Sequence, residues 1–304
     1  MAVGLSIANE TASLPIASRL YLPGAWAQDP ALRRKAKIPD GVGFQTKPQI
    51  ALDQIRDAVA TGTPAGVILA DAGYGADGAF RSGLSGRGLD YVLGVRPTLS
   101  VWRPGETPLP PKAWSGTGRP PSLMRRSRDH RPLSAKALAQ ELPADAWQSI
   151  TWREGSNIDL ASRFAAVRVR PASRDYYLTR PRAQEWLLIE WPEGDAEPLE
   201  HWLSTLSAEV PLRDLVATAK LRGRIERDYR ELILKVAREG GAARDRPSRP
   251  RLSGEPFPNT PDRRVDRAGT ASMFELIQLR CFVALAEELH FRRAAIAATR
   301  RSHR

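Results

Sequence analysis

The chain has 304 residues, one cysteine and a formal net charge of +12. The length allows one or two domains with a sizeable core, and the lone Cys281 excludes a disulfide framework and a cysteine-based zinc site. The positive charge invites a nucleic-acid partner, but residues 235–304 carry +7 of it against +5 for residues 1–234, so charge by itself supports DNA binding only modestly.

Residues 1–17 have no basic n-region, and no apolar run approaches the roughly 20 residues that span a bilayer. The expectation is a cytoplasmic protein with no membrane association. The histidines His130, His201, His290 and His303 are scattered and show no metal-ligand spacing.

In chain order, residues 2–9 and 14–22 alternate or run apolar around Asn9-Glu10-Thr11 and predict an antiparallel hairpin. Residues 23–42 are a polar excursion whose cluster Arg33-Arg34-Lys35-Ala36-Lys37 either meets phosphate or forms a solvated face. Lys47-Pro48 opens a helix with Ile50, Leu52, Ile55 and Val59 on one stripe, and Gly62 stops it. Val67–Ala70 follows, four apolar residues that read as a strand buried on both faces. It delivers Asp71 into the glycine-rich turn Asp71-Ala72-Gly73-Tyr74-Gly75. At the carboxyl end of a strand in an open α/β sheet, an aspartate is placed to bind a hard divalent cation; the alternative is a residue that caps the next turn or helix. Nucleotide binding by this turn is weakly supported, because its glycine spacing does not match the dinucleotide fingerprint.

Residues 79–84 predict a helix and residues 91–95 another buried strand. A long insertion, residues 98–205, comes next. Its first part, 104–132, is rich in Pro, Gly, Ser and Arg and is expected to be a mobile loop in which Arg119, Arg125, Arg126, Arg128 and Arg131 either grip a DNA backbone or face solvent. Its second part has strand-like runs at 149–154, 164–169, 186–191 and 201–206, with Trp147, Trp152, Trp186, Trp191 and Trp202 expected in the core. Residues 212–232 predict a helix with Leu221, Ile225, Tyr229 and Leu232 on one stripe and Arg222 and Glu226 four apart beside it.

Three separated motifs resemble those of bacterial insertion-sequence transposases of the insertion sequence 4 superfamily, 701-like group. They are Phe44-Gln45-Thr46-Lys47-Pro48, Ala70-Asp71-Ala72-Gly73-Tyr74-Gly75 and Leu221-Arg222-Gly223-Arg224-Ile225-Glu226-Arg227-Asp228-Tyr229. The resemblance runs from Val3 to Leu232. It implies an α/β, ribonuclease H-like domain over residues 1–233 that includes a β-rich insertion over 98–205. It also implies Asp71 and Glu226 as catalytic, metal-binding carboxylates for Mg²⁺ or Mn²⁺, Arg222 and Arg224 as DNA contacts, insertion-sequence ends as substrate, and a homo-oligomer. With two ions about 3.5–4 Å apart, the Asp71 and Glu226 carboxylates are expected within roughly 4–8 Å of each other.

The chain departs from the pattern at identifiable points. In the family's signature Y-x2-R-x3-E-x6-K, Ala219 stands at the tyrosine position and Ile233 at the lysine position, and Gly223 stands where a tryptophan is expected. The family's central first strand, with its catalytic aspartate, precedes the hairpin; here Met1 falls on the second strand and no aspartate occurs before Asp29. Past Leu232 the resemblance stops. Residues 234–272 are a basic Arg/Pro/Gly/Ser linker expected to be disordered and read as out-of-frame translation, and residues 273–304 resemble the opening helices of a LysR-type regulator. The functional expectation is a DNA transposase that is catalytically defective, or alternatively a non-catalytic remnant that at most binds DNA or an intact transposase.

Overall fold

A computed structural model describes residues 2–9, 13–153, 160–223 and 282–287, the last of these as backbone only. The hairpin forms from β1 (Ala2–Ala8) and β2 (Ser13–Leu20). A bulge between Leu5 and Ser6 accommodates Pro15 on the outer strand, where a missing ladder N–H is tolerated. The polar excursion contains two short helices, α1 (Gly24–Gln28) and α2 (Pro30–Lys35). Arg33 ties that excursion together, donating to the carbonyls of Val42 (2.9 Å) and Pro39 (2.8 Å). Arg34, Lys35 and Lys37 are exposed.

Helix α3 (Lys47–Ala60) starts at a capping box in which the Thr46 side chain accepts from the Gln49 amide and Gln49 reaches back to the Thr46 amide. Its buried arc is Ile50, Ala51, Gln54 and Ile55, while Val59, expected on the same stripe, is 45% exposed. Strand β3 (Val67–Ala70), the short helix α4 (Ala72–Gly75), α5 (Gly78–Ser85) and β4 (Tyr91–Gly94) complete the first half. The insertion supplies β5 (Ser100–Trp102), β6 (Leu133–Ser134), α6 (Ala135–Glu141), β7 (Gln148–Arg153), β8 (Leu160–Pro171), β9 (Glu185–Glu190) and β10 (Glu200–Ser204). A helix over residues 212–223, α7, follows, and the last described element is the strand β11 (Phe282–Glu287).

The described strands join one mixed sheet in the order β2-β1-β11-β3-β4-β10-β9-β8-β5-β6, with β7 paired to β8. The β11–β3 and β3–β4 pairs are parallel and the other pairs antiparallel. The insertion therefore extends the same sheet, through β10 on β4. Side chains alternate between two apolar faces, as the two-residue strand period requires. Ile68, Ala70, Tyr91, Leu93, Leu187, Ile189 and Leu203 pack with α3, α5 and α6. Leu69, Val92, Leu188 and Trp202 pack with Leu215, Val216 and Ala219 of α7. Helices on both faces of a sheet with a parallel centre explain the near-continuous apolar runs of β3, β4 and β9. The mixed α/β architecture is consistent with the ribonuclease H-like expectation.

Two expectations are corrected. Residues 282–287 lie within the stretch expected to be helical by its likeness to a LysR-type regulator, yet they form a strand between β1 and β3, so the middle of the sheet is filled. The loop over 104–132, expected to be mobile, is held in place. Its backbone bridges Leu109 to Arg125, Met124 is buried, and Arg125 Nε donates to the Pro110 carbonyl at 2.8 Å. Arg126 forms a 2.5 Å ion pair with Asp175, which is 1% exposed and also accepts from Trp102 Nε1 at 2.6 Å. His130 stacks on Trp102 at 4.7 Å. Arg125 and Arg126 thus serve the loop's own structure; Arg119, Arg128 and Arg131 are exposed. The linker over 234–272 lies outside the described residues.

Candidate active site

Asp71 stands where β3 ends, partly buried, with Ile68, Leu69 and Ala70 behind it at no more than 1% exposure. Its Oδ1 accepts from the amides of Gly73 (2.7 Å) and Tyr74 (3.4 Å), and its carbonyl accepts from Gly75 at 3.0 Å. Asp71 is therefore the N-cap of α4, the alternative weighed from sequence. Asp77 performs the same task for α5, accepting from Ala79 (2.8 Å) and Phe80 (3.0 Å). Capping does not exclude metal binding, because a carboxylate carries about four lone-pair sites.

The turn is fixed against β4 by an approach that only glycine permits. A Cβ on Gly75 would lie 1.9 Å from the Gly94 carbonyl oxygen, and one on Gly94 would lie 3.1 Å from the Ala72 nitrogen. Tyr74, 1% exposed, packs on Phe80 with ring centroids 5.7 Å apart. The buried Arg81 guanidinium donates to the Gly75 carbonyl. Arg81 also faces a buried pair, Tyr91 on β4 and Glu185 on β9, which lie two strands apart with β10 between them. Burial pushes the Tyr91 hydroxyl above its ordinary range, reinforced by the Glu185 carboxylate. Burial likewise raises Glu185, against the opposing pull of Arg81 and the Tyr91 hydrogen bond. This ionisable group within the first core gave no sequence signal, since Glu185 and Tyr91 are 94 residues apart.

Helix α7 packs on the other face of the sheet from α3, α5 and α6. Leu69, two residues before Asp71, and Ala219, three residues before Arg222, belong to one buried cluster. Ala219 is 4% exposed, so the family's tyrosine position is here a tight core position. Lys220 docks the helix onto the insertion. Its Nζ pairs with the buried Glu190 carboxylate, and it lies 4.7 Å from the Trp152 ring centroid and 5.3 Å from that of Trp202, a cation–π arrangement. Sequence reasoning passed over Lys220, which lies in no motif. Trp202 is buried and Trp147, Trp152, Trp186 and Trp191 partly so, which agrees with a core role.

Of the expected site residues, Asp71 and the half-buried Arg222 are described, on elements that share the buried cluster. Arg224 and Glu226 lie outside the described residues, as does the expected Asp71–Glu226 distance. Among the described residues, no group of three or more His, Cys, Asp or Glu is placed to hold a metal ion, and no helix is long and apolar enough to cross a membrane.

Comparison with protein families matches residues 1–158 to a model described as "DDE superfamily endonuclease". Comparisons with curated proteins and with solved structures give no match. The match covers just over half of the chain and takes in β1 to β4, Asp71 and its turn; the chain belongs to the DDE superfamily endonuclease family.

Proposed function

We propose that this chain is an insertion-sequence DNA transposase by descent, of the insertion sequence 4 superfamily, that does not cleave or join DNA by itself. The observation that carries this reading is Asp71, a carboxylate at the mouth of a buried parallel strand, with the helix that bears Arg222 packed over the same sheet. DNA is the substrate that DDE nucleases act on, and divalent ions such as Mg²⁺ supply the charge stabilisation and water activation of their chemistry.

The fit to such ions rests on few groups. Asp71 Oδ1 already accepts two backbone amides, and a pair of hard cations needs more than one carboxylate. The described residues alone therefore do not fit a Mg²⁺ or Mn²⁺ pair. Glu226 is the proposed second ligand, with Arg222 and Arg224 as proposed phosphate contacts. Ala219 and Ile233, standing for the signature tyrosine and lysine, support the loss of activity.

The test is incubation of the purified chain with labelled insertion-sequence ends and Mg²⁺ or Mn²⁺. No nicking or joining is expected; metal-dependent nicking that disappears in Asp71→Ala would overturn the defect. The second reading, a remnant that only binds, is favoured by the core role of Ala219. Retention of end DNA in a gel-shift assay by both the parent and Asp71→Ala would support it.

A further inference from the structure

We propose that residues 282–287 are a separable central strand, and that the gap between β1 and β3 is a strand-acceptor slot which the chain fills with its own carboxyl-terminal segment. Strand β11 pairs antiparallel with β1 over six residues, from Val3↔Glu287 to Ala8↔Phe282, and parallel with β3 from Phe282↔Val67 to Ala284↔Leu69.

Without β11, β1 and β3 would face each other across two strand spacings, roughly 9–10 Å. Each would present an unpaired row of amides and carbonyls. With β11 in place strand β1 has no exposed position over Ala2–Ala8, and its inner row of amides and carbonyls faces the β11 ladder from Val3 to Ala8. The slot therefore demands a strand.

It also specifies which kind. The first face beside the slot is apolar at Val3, Leu5, Ile68 and Ala70, and the second at Ala8 and Leu69. A strand covered on both faces needs apolar residues at successive positions. Phe282-Val283-Ala284-Leu285-Ala286 supplies five in a row before Glu287. The strand is tethered to α7 through residues 224–281, and loop-closure entropy grows only slowly with such a length. Tethering gives the segment an effective concentration near the millimolar range, so filling in cis outcompetes a second copy at micromolar protein.

Cross-linking tests this. Ser6 and Ala284 are directly opposite in the ladder, and opposed residues of an antiparallel pair lie within disulfide reach. In the full chain with Cys281→Ser, the pair Ser6→Cys and Ala284→Cys should form an intramolecular disulfide under mild oxidation, with peptide mapping joining the two segments at monomer mass. Ser6→Cys with Val283→Cys, one position out of register and on the opposite face, should give at least tenfold less. A second variant, Ala284→Pro, removes a ladder donor in the middle of the slot and should speed amide exchange in β1 and β3 by about 100-fold while β8 and β9 keep their protection. No cross-link, equal cross-linking from both registers, a covalent dimer in place of the monomer, or unchanged β1 and β3 exchange in Ala284→Pro would each overturn the proposal.

Discussion

Gly75→Ala probes how the candidate site is held together. The added Cβ would start 1.9 Å from the Gly94 carbonyl oxygen, 3.0 Å from its carbonyl carbon and 3.1 Å from the Leu93 Cβ. An ordinary carbon–oxygen contact is about 3.3–3.6 Å, so α4 and β4 must separate by about 1.4 Å or more. The obstruction is backbone inside a hydrogen-bonded sheet, and no side chain can swing aside to relieve it. Overpacking of this kind costs about 1–3 kcal/mol, with the upper end expected against backbone. Alanine returns at most about 1 kcal/mol through helix propensity. The net loss should be about 2 kcal/mol, a fall in melting temperature of about 4–8 °C for a domain of this size. Gly43→Ala is the control, since its Cβ meets nothing within 4 Å, and it should stay within about 0.5 kcal/mol of the parent. Thermal unfolding followed by circular dichroism reads both. A Gly75→Ala chain that melts with or above the Gly43→Ala control would refute the argument that this close approach positions Asp71.

Lys220→Met strands the Glu190 carboxylate, whose side chain is 2% exposed, and should cost about 3–5 kcal/mol in urea unfolding; adding Glu190→Leu should recover most of that loss. His201 is 3% exposed and its pKa is lowered to about 4 by burial. The unfolded chain takes up that proton near 6.5 and the folded chain only near 4. The His201 contribution is thus complete above pH 6.5 and is lost as pH falls from 6.5 to 4, by about 3 kcal/mol in all; His201→Leu should flatten that part of the stability–pH curve. Asp175→Ala removes the acceptor shared by Trp102 and Arg126 and should make residues 104–132 protease-sensitive in a chain otherwise resistant there.

Local pattern was enough wherever one element's own residues decide its state. Val67–Ala70 reads as a doubly buried strand because all four residues are apolar, and α3 announces itself through Lys47-Pro48, the helical spacing of Ile50 and Ile55, and the stop at Gly62. Elements settled by distant partners were less legible. The stripe of α3 includes Val59 by periodicity, yet the buried arc of that helix ends at Ile55. Arg126 looks like any exposed arginine of a basic loop until Asp175, 49 residues away, comes beside it. The same holds most strongly for residues 282–287, whose run suits a helix as well as a strand; the choice is made by pairing with β1 at the far end of the chain. At the site, the sequence located Asp71 and left open whether it caps a turn. The capping bonds are present, and the open question passes to what else that carboxylate holds.

The place of β11 in the sheet has a consequence for how the protein is made. At roughly 5–20 residues per second, about 10–40 s of translation separate the emergence of β3 from that of β11. During that interval the ribosome-bound chain carries β1 and β3 with no strand between them. Closing the sheet is then a pairing of very high sequence separation, the slow kind in contact-order terms. Chaperone dependence, and loss of yield to β-mediated association before the last residues are released, follow from the order in which this sheet receives its strands.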